Sequence, residues 1–129
     1  MPRTTGVKQV RLEACPVKPE LANRPLISSD QAAELAGVFK ILANDTRLRL
    51  LHVLLKAGEI CVSDLAESVN MAPQAVSNQL QRLVDRGIVE SRRDGLQMFY
   101  RIIDPCVILL LDQGLCLSED ARRRRGKTQ

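Results

Sequence analysis

Four cysteines, Cys15, Cys61, Cys106 and Cys116, carry the clearest chemical potential in this chain of 129 residues. A thiolate is both a nucleophile and a metal ligand. No apolar run approaches the roughly 20 residues that span a bilayer, and the opening MPRTTGVKQVRLEACP lacks the apolar stretch of a signal peptide. A cytoplasmic location is expected, where cysteines serve as free thiols, metal ligands or redox groups rather than as structural staples. The lone histidine, His52, falls in the middle of an apolar helical pattern. It is read as a buried structural residue. Zinc favours sets of nitrogen and sulfur donors. A set dominated by thiolate suits softer ions: mercury, cadmium and lead first, then trivalent arsenic, with zinc also lower in the order.

A second group has a different chemistry. Gln74, Ser77, Asn78 and Gln81 stand at i, i+3, i+4 and i+7 of one apolar-periodic segment, so they share the outward face of a helix, and Arg82 borders it. Ordinary solvated helix faces are rich in Glu and Lys. This one is built of amides and a hydroxyl, which pair with base edges in the major groove of DNA. Gln74 and Ser77 come early in the helix, where base contacts concentrate. Arg92, Arg93, Gln97 and Arg101 follow on a hairpin pattern and would reach phosphate or the minor groove, contacts that give affinity and position rather than sequence information. Plain solvation is the competing reading of both groups.

Charge alone does not decide between them. The net charge is +4, but Arg122, Arg123, Arg124, Arg125 and Lys127 supply five of the 19 basic residues, and all 15 acidic residues precede them. Upstream of that run the balance is 14 basic to 15 acidic.

The elements that must position these groups can be read from period and punctuation. Residues 1–27 hold Pro2, Pro16, Pro19 and Pro25 and form an N-terminal arm. Ser28-Ser29-Asp30 offers capping oxygens for a helix over about 30–43, with Leu35, Val38, Phe39 and Leu42 at helical spacing. Asn44-Asp45-Thr46 starts a second helix, largely buried through Leu48, Leu51, Leu54 and Leu55, that stops at Gly58. Ile60-Cys61-Val62 is a short extended piece. Ser63 then caps a helix over 64–69, and Pro73 opens another running to Arg86. Two short helices about a tight turn make a helix-turn-helix. IVESRRDGLQMFYRII, with Asp94-Gly95 at its centre, makes a β-hairpin, the wing of a winged helix. Residues 106–117, CVILLLDQGLCL, form a helix apolar nearly all round, whose simplest partner is a second copy of itself. The expected fold is therefore mainly α with a small β-hairpin: an arm over 1–27, a winged helix-turn-helix with dimerisation helices over 28–121, and a basic tail over 122–129.

FKILANDTRLRLLHVLL, EICVSDLA, APQAVSNQLQRLVDRGIV and RRDGLQMFYRI, in that order, resemble the ArsR/SmtB family of bacterial metal-responsive repressors, over about residues 35–117. The resemblance implies a homodimer joined through its terminal helices. It also implies repression at a double-stranded operator with an imperfect inverted repeat, and release when an inducer such as a metal ion binds. Many relatives carry two cysteines one residue apart in the EICVSDLA segment; here Ser63 takes the second place. Cys61 resembles the single cysteine of zinc-sensing members, whose arm supplies a further thiol, and Cys15 is the arm cysteine here. Cys106 and Cys116, ten residues apart, lie roughly 15 Å from each other along a helix. They cannot share an ion within one chain. Paired antiparallel across a two-fold axis, Cys106 of one copy meets Cys116 of the other, with Asp104 and Glu119 nearby. This resembles the family's carboxylate and imidazole ligands with thiols in place of the imidazoles. The alternatives are a thiol-based redox or persulfide-sensing repressor of the same fold, and a winged helix without an inducer. No nucleophile-base arrangement, Gly-rich phosphate loop or catalytic carboxylate pair points to an enzyme.

Overall fold

The structure is a computed structural model that describes residues 18–127. A single 3-10 turn, Leu21–Asn23, leads into α1 (Ser29–Leu42), α2 (Asp45–Ala57), β1 (Ile60–Cys61), α3 (Val62–Val69), α4 (Pro73–Asp85), β2 (Val89–Asp94), β3 (Gln97–Ile102) and α5 (Pro105–Lys127). The antiparallel sheet has the order β1-β3-β2, so the short extended piece before α3 is a third strand against the hairpin. This is a winged helix-turn-helix, mainly α with a small sheet.

Local chemistry sets the boundaries. Ser28 and Gln31 form a reciprocal capping box, with the Gln31 amide donating to Ser28 Oγ at 3.1 Å and the Ser28 amide donating to Gln31 Oε1 at 2.9 Å. Asn44 Oδ1 accepts from the Arg47 amide at 3.0 Å and starts α2. Helix α3 begins at Val62, earlier than a Ser63 cap would place it, and Cys61 occupies the N-cap position without a side-chain bond. Asn70 closes α3 in the left-handed conformation (φ 57°), which turns the chain into α4 within three residues. At the wing, Asp94 pairs with Gln97, and Gly95 at φ 66° supplies the tight connection.

Leu50, Leu51 and Leu54 of α2, Leu65, Ala66 and Val69 of α3, and Val76, Leu80 and Leu83 of α4 form the core. Ile88, Val89, Tyr100 and Ile102 close it from the sheet side. The terminal helices behave differently. In α1 the buried residue is Leu42, while Leu35 and Phe39 stay exposed. Helix α5 tucks Val107 into the core and leaves Leu109, Leu115 and Leu117 in solvent. It runs 23 residues rather than the expected twelve or so, and the arginines at 122–125 lie within it.

Between α1, α2 and α5 lies an apolar groove of about 610 Å³, lined in part by Phe39, Leu48, Leu55, Leu111 and Leu115. His52 also lines this groove and is exposed rather than buried. The reason is that α2 has two apolar stripes. Leu50, Leu51 and Leu54 face the core, while Leu48, His52 and Leu55, spaced by four and three residues, face the groove.

Candidate nucleic-acid interface and metal site

Helix α4 is held from behind by Val76, Leu80 and Leu83, all fully buried. That anchoring turns Gln74, Asn78, Gln81 and Arg82 to solvent, with Ser77 half-buried beside them. The exposed amides are already engaged locally. Gln74 Nε2 donates to Asn78 Oδ1 at 3.1 Å, and Gln81 Nε2 donates to Asp85 Oδ1 at 2.8 Å. Each pair is one helical turn apart, so the face is held in order yet remains free to exchange partners. The first turn of α4 carries no acidic residue and the last turn carries Arg82, with the Asp85 carboxylate engaged by Gln81.

The wing side chains divide into two kinds. Arg92 is strapped to the body of the domain: Nε donates to Glu59 Oε2 at 2.9 Å and Nη2 to Glu59 Oε1 at 2.8 Å, a bidentate pair. Its guanidinium also lies 4.8 Å from the Phe99 ring centroid and 3.7 Å from Asp94 Oδ2. The Glu59 hydrogen bond raises the pKa of Arg92 above its ordinary value, and the nearby Glu59 and Asp94 charges act the same way. Arg101 pairs with Glu90, its register partner across the strands, at 2.9 Å. Arg93 and Gln97 are exposed, and Arg93 makes no ion pair among the described residues. Of the basic wing residues, Arg93 is the one whose charge is not already matched by a carboxylate. The Glu59–Arg92 strap had no sequence signal, because 33 residues separate its partners.

The cysteines are spread out. Cys15 lies outside the described residues. Cys61 is a free, buried thiol opposite Phe99 in the sheet. Cys106, exposed in the first turn of α5, is disulfide-bonded. Cys116 is a free, exposed thiol whose Sγ stands 3.8 Å from Asp120 Oδ2. Asp104 has a structural task, since its Oδ1 accepts from the Cys106 amide at 2.9 Å and starts α5. Glu119 is exposed. Among the described residues of a single chain, no three His, Cys, Asp or Glu side chains converge on a metal-sized space. Cys106 and Cys116 are ten residues apart on one helix, roughly 15 Å at the α-helical rise. A second copy is therefore needed to bring them together.

The sequence comparisons agree with this geometry. The family described as bacterial regulatory protein, arsR family, matches residues 44–91, which span α2 through the start of the wing. The crystal structure of an antimony-specific transcriptional repressor, AntR, is similar at 57% identity and a TM-score of 0.72, covering 85% of this chain and 99% of that one. A homodimeric winged helix-turn-helix DNA-binding domain from Mycobacterium bovis is similar at 33% identity and a TM-score of 0.65, covering 78% and 95%. The transcriptional regulator NmtR of Mycobacterium tuberculosis is 38% identical over 99 residues, 75% of this chain and 82% of its own. Other relatives, at 31–39% identity, are named for resistance to cadmium, arsenic or mercury. With the ordered helix-turn-helix, the wing and this degree of identity, the chain belongs to the ArsR/SmtB family of metal-responsive transcriptional repressors.

Proposed function

We propose that the protein is a homodimeric repressor that seats two copies of α4 in neighbouring major grooves of an imperfect inverted repeat. A thiophilic ion held by Cys106 of one subunit and Cys116 of the partner subunit releases it from that DNA. The observation that carries this reading is the placement of the thiols. Both lie on the exposed side of α5, the helix that leaves its leucines in solvent, and among the described residues no three potential metal ligands converge at either. An antiparallel pairing of two α5 helices near residue 111 covers the leucines and joins the thiols in one step.

Gln74, Ser77, Asn78 and Gln81 read base edges, while Arg82, Arg93 and Gln97 contact the backbone. Arg92 acts through the strap to Glu59, which fixes the angle of the wing. Two-fold symmetry sets the two half-sites about one DNA turn, roughly 34 Å, apart.

The donors fit a soft ion. Cys116 is exposed, with the Asp120 carboxylate beside it, and the lone histidine faces the apolar groove. When bound, the ion supplies a crosslink between subunits through sulfur. Cys106 and Cys116 must shed protons to hold it, so affinity rises with pH. The 57% identity to an antimony-specific repressor moves trivalent antimony ahead of mercury, cadmium and lead, which thiolate chemistry alone ranks first. Cys15 and Cys61 are the candidates for a second thiol site. A cytoplasmic location suits this chemistry.

The test is operator binding by the reduced protein against antimony(III), arsenic(III), cadmium, mercury, lead and zinc. Cys106→Ser and Cys116→Ser should each abolish release. Mixing the two variants should restore it in part, because a mixed dimer rebuilds one of its two cross-subunit sites. A response that survives both substitutions, or a mixture no better than its parents, defeats the reading.

One observation favours a second reading. Cys106 is disulfide-bonded in this structure, the oxidised form through which a thiol-based redox sensor would cycle. Such a sensor would leave DNA on treatment with peroxide or polysulfide, recover with dithiothreitol, and ignore the metal panel under reducing conditions.

A further inference from the structure

Arg47 is the one buried charged residue described, 9% exposed, and no carboxylate accompanies it. Its guanidinium is held by neutral acceptors. Nε donates to the Ile41 carbonyl at 2.7 Å, and Nη1 donates to Gln79 Oε1 at 2.8 Å. Ile41 lies in the last turn of α1, where carbonyls lack helical partners. Gln79 lies in the middle of α4, next to Ser77 and Asn78. Arg47 itself is fixed at the start of α2 by the Asn44 cap. Among the described residues, the Arg47–Gln79 bond is the side-chain hydrogen bond that joins α4 to another helix.

A guanidinium is planar and its donors are rigidly spaced. Nε and Nη1 therefore cannot be re-aimed separately. If the Ile41 carbonyl shifts, Arg47 must either give up one buried acceptor or turn and take Gln79 with it. A second contact runs in parallel. The Arg86 guanidinium, at the end of α4, lies against Gly37 of α1, where a Cβ would collide with it. Gln79 and Arg86 are seven residues apart on α4, and Gly37 and Ile41 are four apart on α1, so each pair shares one helix face. The two helices are linked at two points along matching faces, directly at Arg86 and Gly37 and through Arg47 of α2 at Gln79 and Ile41.

We propose that Arg47 is a positioning residue that transmits displacement of α1, on the open apolar face, to the DNA-reading helix α4. The inference rests on the reading of α4 and of the α1–α5 face given above. It adds a route from the subunit seam to the bases that passes through α2 and bypasses the wing.

The test compares Gln79→Ala, Gln79→Glu and the core control Ile102→Val with wild type. Arg47→Ala is avoided because it strips the end of α1 as well. Affinity is measured, with and without antimony(III), for a duplex the wild-type protein selects from a random pool. The wild-type ratio of affinities should fall in the usual range of about 5–150-fold. Gln79→Ala should bring the ratio within about twofold of unity. Gln79→Glu, which keeps an acceptor for Arg47, should retain the wild-type ratio, and Ile102→Val should retain it despite lower stability. A Gln79→Ala ratio equal to wild type overturns the proposal. If wild type ignores antimony(III), the assigned inducer fails separately. The tie is then judged without inducer: Gln79→Ala should bind the selected duplex about tenfold more weakly than Ile102→Val, and equal binding by the two overturns it.

Discussion

The unit from α2 to β3 and the two terminal helices are made of similar residues and packed in opposite ways. Leu50, Leu51, Leu65, Leu80 and Leu83 are sealed from water, whereas Leu109, Leu115 and Leu117, one element further along, are each 60% exposed or more. Leu35 and Phe39 of α1 are nearly half exposed, and their side of the molecule opens into the groove beside His52. A contiguous apolar surface of this kind marks an association site. The inner unit satisfies its own burial. The outer helices leave their apolar surface in solvent within one chain, and the proposed pairing with another copy would cover it. A DNA reader whose frame is complete can thus be steered by helices whose packing depends on assembly.

The sharpest way to break this contrast is to charge the outer helix. Leu109→Glu combined with Leu115→Glu should leave a folded winged helix with native far-UV circular dichroism that sediments as a monomer. Its operator affinity should fall by about 100-fold or more, because two linked readers gain on that order over one. A dimer of unchanged affinity would show that α5 is not the seam.

Truncation inside the frame should act on folding instead. Leu80→Ala, at a fully buried site, should lower unfolding stability by about 2–5 kcal/mol. Leu115→Ala should leave that stability nearly unchanged and weaken dimerisation alone, as followed by denaturant titration at several protein concentrations. Equal losses from the two would erase the distinction between frame and seam.

Smaller effects separate the reading face from the wing. Ser77→Ala or Gln74→Ala should cost about 1–3 kcal/mol on the preferred duplex and little on random DNA, if these side chains meet base edges. Arg93→Ala should weaken both duplexes alike and reduce the salt dependence of binding by about 0.9 in log–log slope. Arg92→Ala should behave differently, since its charge is matched by Glu59. It should loosen the hairpin, seen as faster amide exchange in β2 and β3.

The inner frame was legible in the sequence because each of its elements is announced locally. Capping residues, Pro73, Gly87 and the Asp94-Gly95 turn bracket runs of clear period, and Val76, Leu80 and Leu83 are buried as that period requires. The full length of α5 was not, because residues beyond 117 are polar and 122–129 read as a basic tail, although Ala and Arg favour helix. His52 was misplaced because α2 is apolar on two stripes and periodicity does not say which one finds the core. The Arg92 strap and the Arg47 tie escaped for another reason: both are fixed by partners more than 30 residues away, which spacing rules do not reach. The proposed metal site stayed furthest out of reach, since any site uniting Cys106 and Cys116 needs a second chain.

The finest comparison concerns how firmly α1 is attached to the frame. Gly37 sits inside α1, where glycine weakens a helix by about 0.5–1 kcal/mol relative to alanine. Its missing side chain leaves room for the Arg86 guanidinium. Gly37→Ala therefore sets two effects against each other, a stiffer α1 and a displaced Arg86. Because Arg86 is exposed and its side chain is long with many rotatable bonds, its guanidinium can swing away at little cost, and the propensity gain should dominate. Thermal unfolding should move up by a few degrees. Operator affinity without inducer should shift less than twofold, because Arg47 still bridges Ile41 of α1 and Gln79 of α4. A lower melting temperature would mean that the Arg86 contact matters more to the fold than the helix around Gly37 does. Helix α1 would then belong to the inner frame rather than to the seam.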